Sequence, residues 1–224
     1  MKHTLPKLPY GYADLEPHID ARTMLVHHSQ HHAGYVAKLN SALSGLPELH
    51  GYTATQLLQH LDEVPAALRE DVQHNAGGHL NHSQFWRAMT PSGGGVPRGL
   101  LGDAITRDFG DFESFKTAFE AAGVSLFGSG WVWLARVQVD GGKLQIYTTT
   151  GHDNPIMRGH FPILVNDVWE HAYYLKHENR RAAYLHAWWV VVNWAEASKR
   201  YERSDHVAEH NWEDEGGNLL TVAA

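Results

Sequence analysis

Asp167-Val168-Trp169-Glu170-His171-Ala172-Tyr173-Tyr174 packs two acids, an imidazole and three large aromatics into eight residues. A helix opening at Asp167 would put residues four apart on one face. Asp167 and His171 would then point the same way, and two metal-ligand types would converge from one turn. The apolar run just before, residues 161–165, reads as a strand. A strand-to-helix junction is a rigid mount for a site. An Asp cap followed by a hydrogen-bonded histidine accounts for the segment equally well. The rest of the chain bears on the choice, because it supplies matching imidazoles.

The first set lies in His27-His28-Ser29-Gln30-His31-His32, followed by Tyr35. Asp20 can cap a helix beginning near Ala21, apolar positions recur at helical spacing to Leu43, and Gly45 and Pro47 end it. His27, His31 and Tyr35 are spaced i, i+4, i+8 and form one stripe. An exposed polar face is the plain alternative. Four histidines in six residues are costly for a mere surface, because His is a middling helix former.

The second set lies in a helix expected from Pro65, which suits a first turn, to about Met89. Asn75-Ala76-Gly77-Gly78-His79-Leu80-Asn81-His82-Ser83-Gln84-Phe85-Trp86 falls inside it. Each glycine costs about 1 kcal/mol relative to Ala there, so something offsets it. Gly78 lies one turn before His82 on the same face. A side chain there would intrude on whatever His82 touches. Close packing against another helix is compatible with this.

The 224 residues suffice for one large or two small domains. With 43% hydrophobic and 19% charged residues, the chain reads as an ordinary globular protein. A formal net charge of −7 and the lack of a basic block disfavour nucleic acid or anionic lipid as a main partner. With no cysteine, disulfides and thiolate metal sites are excluded. No apolar run approaches a bilayer span. The opening residues 1–6 have no secretory-type apolar core, so a cytoplasmic protein is expected.

Elsewhere, residues 1–18 read as an extended lead-in and 55–61 as a short amphipathic piece. The Pro- and Gly-rich stretch 90–99 is the clearest linker. Short helices are expected at 101–109 and 112–122. Residues 131–139 and 143–150 alternate as strands around the hairpin signal Asp140-Gly141-Gly142, and a third strand spans about 160–165. Helices follow at 169–176, 181–187 and 188–201. The acidic, weakly periodic end is taken as a tail, with His206 and His210 solvated. The resulting expectation is an α+β protein with three parts. Residues 1–90 form a helical hairpin domain, 91–202 an α/β domain with a small antiparallel sheet of about three strands, and 203–224 a tail.

His27, His82, Asp167 and His171 make a mixed N/O ligand set. Without thiolates such a set suits iron, manganese, zinc or cobalt and does not choose among them. At this point the chain resembles the iron/manganese superoxide dismutases over nearly its whole length, from Leu5-Pro6-Lys7-Leu8-Pro9-Tyr10 to about Tyr201. Residues 167–174 fit the family's most specific motif. His27-His28 with Tyr35, residues 75–86 and residues 127–133 also match.

The resemblance implies that His27, His82, Asp167 and His171 bind one manganese or iron ion per subunit. It implies that Tyr35 and His31 line the entrance for superoxide, and that Trp86, Trp131 and Trp169 surround the metal. It also implies a homodimer, or a tetramer, in which Glu170 reaches the other subunit's His171 and Tyr174 its His31. In iron members a glutamine often comes from the position of Gly78; in most manganese members it comes from the position of His152. Gly78 with His152 is therefore the manganese-type arrangement, imidazole replacing amide, and either metal stays open. Gln30 stands where many relatives carry lysine, which shifts steering of the anion to Arg180, Arg181 and Lys38. Asn166 replaces a usual apolar residue. A zinc hydrolase with the same ligands would lack an obvious general base. A metal-free subunit of this fold is opposed by the four intact ligands.

Overall fold

The computed structural model describes residues 2–137 and 142–204. Asp20 caps the first helix as its sequence position suggests, its carboxylate accepting from the Thr23 N–H at 2.8 Å. That helix is continuous but not uniform. Helix α1 (Ala21–Val26) passes into a π-helical stretch, His27–His32, and then into α2 (Ala33–Ala42). Such widened turns are rare and occur frequently at functional sites; here the widened turn holds the histidine cluster. Thr53 and Gln56 form a reciprocal capping box for α3 (Ala54–Gln59). Helix α4 (Ala66–Arg87) packs back along α2 and α3 and completes a helical hairpin. Its apolar seam contains Leu39, Leu57, Val72 and Leu80, all buried.

The second half opens with α5 (Gly99–Phe109) and α6 (Phe112–Ser125). Three strands follow: β1 (Gly130–Val137), β2 (Lys143–Thr150) and β3 (Phe161–Asp167). They form an antiparallel sheet in the order β2-β1-β3. Register sets Trp131 opposite both Thr149 and Asp167. Pro162, which has no N–H to donate, coincides with a register shift at Leu134/Ala135. The sequence of β1 reads as alternating, but the strand is buried on both faces, with Trp131, Val132, Trp133 and Leu134 fully enclosed. Beyond β3 come α7 (Tyr174–His177), α8 (Arg181–Trp188) and α9 (Trp194–Arg203).

Three expectations change. No helix opens at Asp167: it is the last residue of β3, Trp169 is extended at φ −62°, ψ 142°, and a single 3-10 turn, Glu170–Ala172, follows. The helix expected over 169–176 is thus a 3-10 turn and the four-residue α7. The helix expected over 188–201 is broken. Thr90 N–H donates to the Val191 carbonyl, Asn193 N–H to that of Ala88, and Met89 bridges Val192. These contacts hold Val192 and Asn193 out of helix after a 3-10 turn, Trp189–Val191, and Asn193 caps the new start by accepting from the Glu196 N–H. Helix α9 runs to Arg203, into the segment read as tail. Of the hairpin signal, Asp140 and Gly141 lie outside the described residues, as do His206 and His210.

No described helix is long and apolar enough to cross a membrane.

Candidate metal centre

The expected ligand set meets at one point. One ligand atom from each of His27, His82, Asp167 and His171 lies within 4.8 Å of the others. His27 is offered by the start of the π-helical stretch and His82 by α4. Asp167 comes from the end of β3 and His171 from the 3-10 turn. Asp167 Oδ2 stands 3.0 Å from His27 Nε2, 3.1 Å from His171 Nε2 and 3.8 Å from His82 Nε2. Its other oxygen accepts the Trp169 N–H at 2.9 Å, which turns the chain and returns His171 toward the carboxylate. Asp167 and His171 converge by this route rather than along a helix face.

The donor chemistry fits a cation. His82 Nδ1 lies 2.6 Å from the Gly78 carbonyl, an acceptor only, so Nδ1 carries the proton. Its Nε2 is left as a bare lone pair, buried, and without a hydrogen-bond partner among the described residues. His27 Nε2 is likewise buried and lacks hydrogen-bond geometry despite its closeness to Asp167. Burial, reinforced by His171, lowers His27 to about 4, so its imidazole is neutral at physiological pH. Burial would raise Asp167, but His171 and His27 outweigh it and hold the carboxyl below its ordinary range. The unpartnered, buried Nε2 atoms of His27 and His82 converge on the Asp167 carboxylate, and a cation would satisfy both at once.

Aromatic rings wall this point. Trp86 meets the His27 ring edge-on at 4.7 Å and Trp131 the His82 ring at 5.0 Å. Trp169 stacks on His152 at 4.5 Å and on His171 at 5.4 Å. Tyr35 sits 5.3 Å from His82 and 4.4 Å from His152. Burial, with the charge of Asp167, pushes its phenol up to about 12. His31 is half-buried and stacks on His171 at 4.4 Å. His152 is 2% exposed and accepts the Trp131 indole N–H on Nδ1 at 3.2 Å. Burial lowers it to about 3. Its Nε2 has no partner among the described residues.

The glycine pair also has its reason. A Cβ on Gly78 would lie 2.6 Å from the Tyr35 ring, and one on Gly77 would lie 2.2 Å from the His152 carbonyl oxygen. Gly77 packs against a turn rather than a helix. Glu170 is exposed and Tyr174 is 48% exposed, so neither serves the centre within this chain. Arg181 is anchored by the carbonyls of Gly123, Leu126 and Gly128 and by the Tyr173 hydroxyl. Asn166 is fully buried, and its amide has no partner among the described residues.

Two imidazoles escaped the sequence reading. His32 Nδ1 accepts the Trp86 indole N–H at 2.9 Å, which leaves its Nε2–H to donate to His79 Nδ1 at 2.8 Å. This chain fixes Trp86. Only the density of histidines in both helices signalled it.

Among the described residues, fold and site together bring three imidazoles and a carboxylate, walled by tryptophan, into one group that could hold a metal ion. The chain matches the alpha-hairpin domain of iron/manganese superoxide dismutases over residues 2–90 and their C-terminal domain over residues 97–200. It is 52% identical over 198 residues to superoxide dismutase [Mn] 3 of Leptolyngbya boryana, covering 88% of this chain and 82% of that one. It is 49% identical over 202 residues to superoxide dismutase [Mn/Fe] of Methylomonas sp. (strain J), covering 90% and 98%. Superoxide dismutase [Mn] of Listeria monocytogenes is also 49% identical, with the same coverage. The chain belongs to the iron/manganese superoxide dismutase family.

Proposed function

We propose that the protein is an oxidoreductase that converts superoxide to dioxygen and hydrogen peroxide with one manganese or iron ion per subunit. His27, His82, Asp167 and His171 are the proposed ligands. The convergence of these four buried side chains within 4.8 Å carries the reading. Held by these four residues, a manganese or iron ion would supply reversible one-electron chemistry.

The chain supplies position, dryness and protons. The Gly78 carbonyl orients His82 with its lone pair inward. Trp86, Trp131 and Trp169 keep bulk water from the ligands, which strengthens every electrostatic interaction there. His152 keeps Nδ1 toward Trp131 and offers an Nε2–H inside the site. Tyr35 retains its proton at neutral pH on a phenol that touches the His82 and His152 rings, where peroxide formation consumes protons. His31 flanks the approach beside His171. Exposed Lys38 and Arg180, with anchored Arg181, give the anion local positive charge. Manganese is favoured, because Gly78 is closed to a side chain by Tyr35 and His152 fills the opposing place.

The proposed assembly is a homodimer. Exposed Glu170, Tyr174 and Leu175 beside the His31–His171 stack support a face completed by a second copy. Glu170→Ala is then expected to weaken it, and an unchanged mass at low concentration in sedimentation would contradict that. The proposed boundary between the halves falls at residue 90, and the proposed location is the cytoplasm, which cell fractionation tests.

The deciding experiment strips the protein of metal and reloads it separately with manganese, iron and zinc. Superoxide dismutation with manganese or iron, and none with zinc, is expected. Inertness with both redox metals at full loading overturns the reading.

A further inference from the structure

We propose that Asn81, together with Gly77, is the positioning residue that sets how far the His152 imidazole stands from the metal ligands. The inference rests on the reading of the centre as a metal site. It starts from how His152 is held. Its ring is oriented by the Trp131 indole and by the parallel Trp169 face. Neither contact fixes the backbone that carries it, which belongs to a turn between β2 and β3.

That backbone is gripped by α4. Asn81 donates its side-chain N–H to the His152 carbonyl at 3.1 Å, with a longer approach of 3.4 Å to that of Asp153. Its side-chain oxygen accepts from Asn154 at 2.7 Å, so both ends of one amide clasp the turn. Asn81, His152 and Asn154 are all at most 2% exposed, so no solvent competes for these bonds. Gly77 lies four residues before Asn81, on the same helix face. The 2.2 Å that a Cβ there would leave to the same carbonyl oxygen shows how close the helix approaches. Gln73, a further turn back, donates to the Asp153 carboxylate at 2.9 Å.

The adjacent face of α4 carries His82 and Gly78. One rigid helix therefore holds a ligand on one face and gauges His152 from the next. The His152 Nε2–H acts by distance: a displacement of about 1 Å at such a group can cost on the order of 100-fold in rate. Asn81 touches neither metal nor substrate. It acts through where it leaves His152.

Asn81→Ala removes the clasp, and Gly77→Ala pushes the same carbonyl away by a different contact. In metal-free protein, the Trp131 indole N–H resonance, assigned by loss in Trp131→Phe, reports the bond to His152 without any metal. It should shift in both variants. After loading to equal stoichiometry, the ratio of manganese-supported to iron-supported activity should change by about tenfold, in line with partners one shell out from a metal. If both variants only lower the denaturation midpoint, with indole resonance and activity ratio unchanged, the proposal is overturned. Misfolding of one variant leaves the other to decide. If the unsubstituted protein is inert with every metal, the functional reading fails, and the indole resonance alone judges the placement.

Discussion

Trp131 donates its indole N–H to Nδ1 of His152 across 3.2 Å, inside a site where both residues are almost wholly enclosed. An indole nitrogen only donates, so Nδ1 must carry the lone pair and neutral His152 bears its proton on Nε2. The sequence left that tautomer open; one tryptophan settles it.

His152→Gln should be tolerated. A glutamine oxygen can take the indole N–H and its amide can donate where Nε2–H does. The midpoint of denaturation should stay close to that of the unsubstituted protein, while activity or metal preference changes. His152→Ala strands the Trp131 donor in a buried site and should cost about 1–3 kcal/mol, beyond the loss of packing. Chemical denaturation of both variants checks the contrast, and equal stability for the two would refute it.

Gly78→Ala should displace Tyr35, because the added carbon would stand 2.6 Å from its ring. Ala is the better helix former by about 1 kcal/mol, so a gain is expected if α4 were free. Overpacking of a closed site costs about 1–3 kcal/mol and should win. Net destabilisation, with lowered activity, is the expected outcome; stabilisation would show that the ring yields without cost.

His82→Ala should leave the centre unable to retain metal. It removes one of four ligand atoms and opens a cavity beside Trp131. Elemental analysis after dialysis should give a small fraction of one ion per chain. Retention of one ion per chain would remove His82 from the ligand set.

Acid should destabilise the metal-free protein early. His27 and His152 are held at about 4 and about 3, both chiefly by burial, against an ordinary value of 6.5. Below 6.5 the unfolded chain takes up protons that the folded chain refuses, so stability falls as pH falls through that window. At about 1.4 kcal/mol per unit, His27 removes on the order of 3 kcal/mol and His152 on the order of 5 kcal/mol by the bottom of each window. The melting temperature should be flat above about pH 7 and decline below about pH 6.5. A flat profile down to about pH 4.5 would show that these imidazoles accept protons in place.

The convergence of the four proposed ligands was legible because residue type limits what can bind a metal, whatever the local backbone. The path to them was not. Asp167 looked like a helix start, yet ladder pairing with Trp131 keeps it in the sheet, and the bond from the Trp169 N–H makes the turn. Periodicity carried the two long helices and all three strands. It failed at Val192 and Asn193, where contacts with residues 88–90, about a hundred positions away in sequence, override helical preference. The π-helical widening at His27 leaves no mark in spacing alone. The His32–His79 bond joins residues 47 positions apart and needs the hairpin to exist first.

The four converging side chains come from both halves of the chain, His27 and His82 from the hairpin, Asp167 from the end of β3 and His171 from the turn after it, and His27, His82 and Asp167 are at most 1% exposed. An ion lodged there would act as a rivet between the halves. Withdrawing it would free hairpin and sheet from a shared anchor, so both should loosen together rather than either alone.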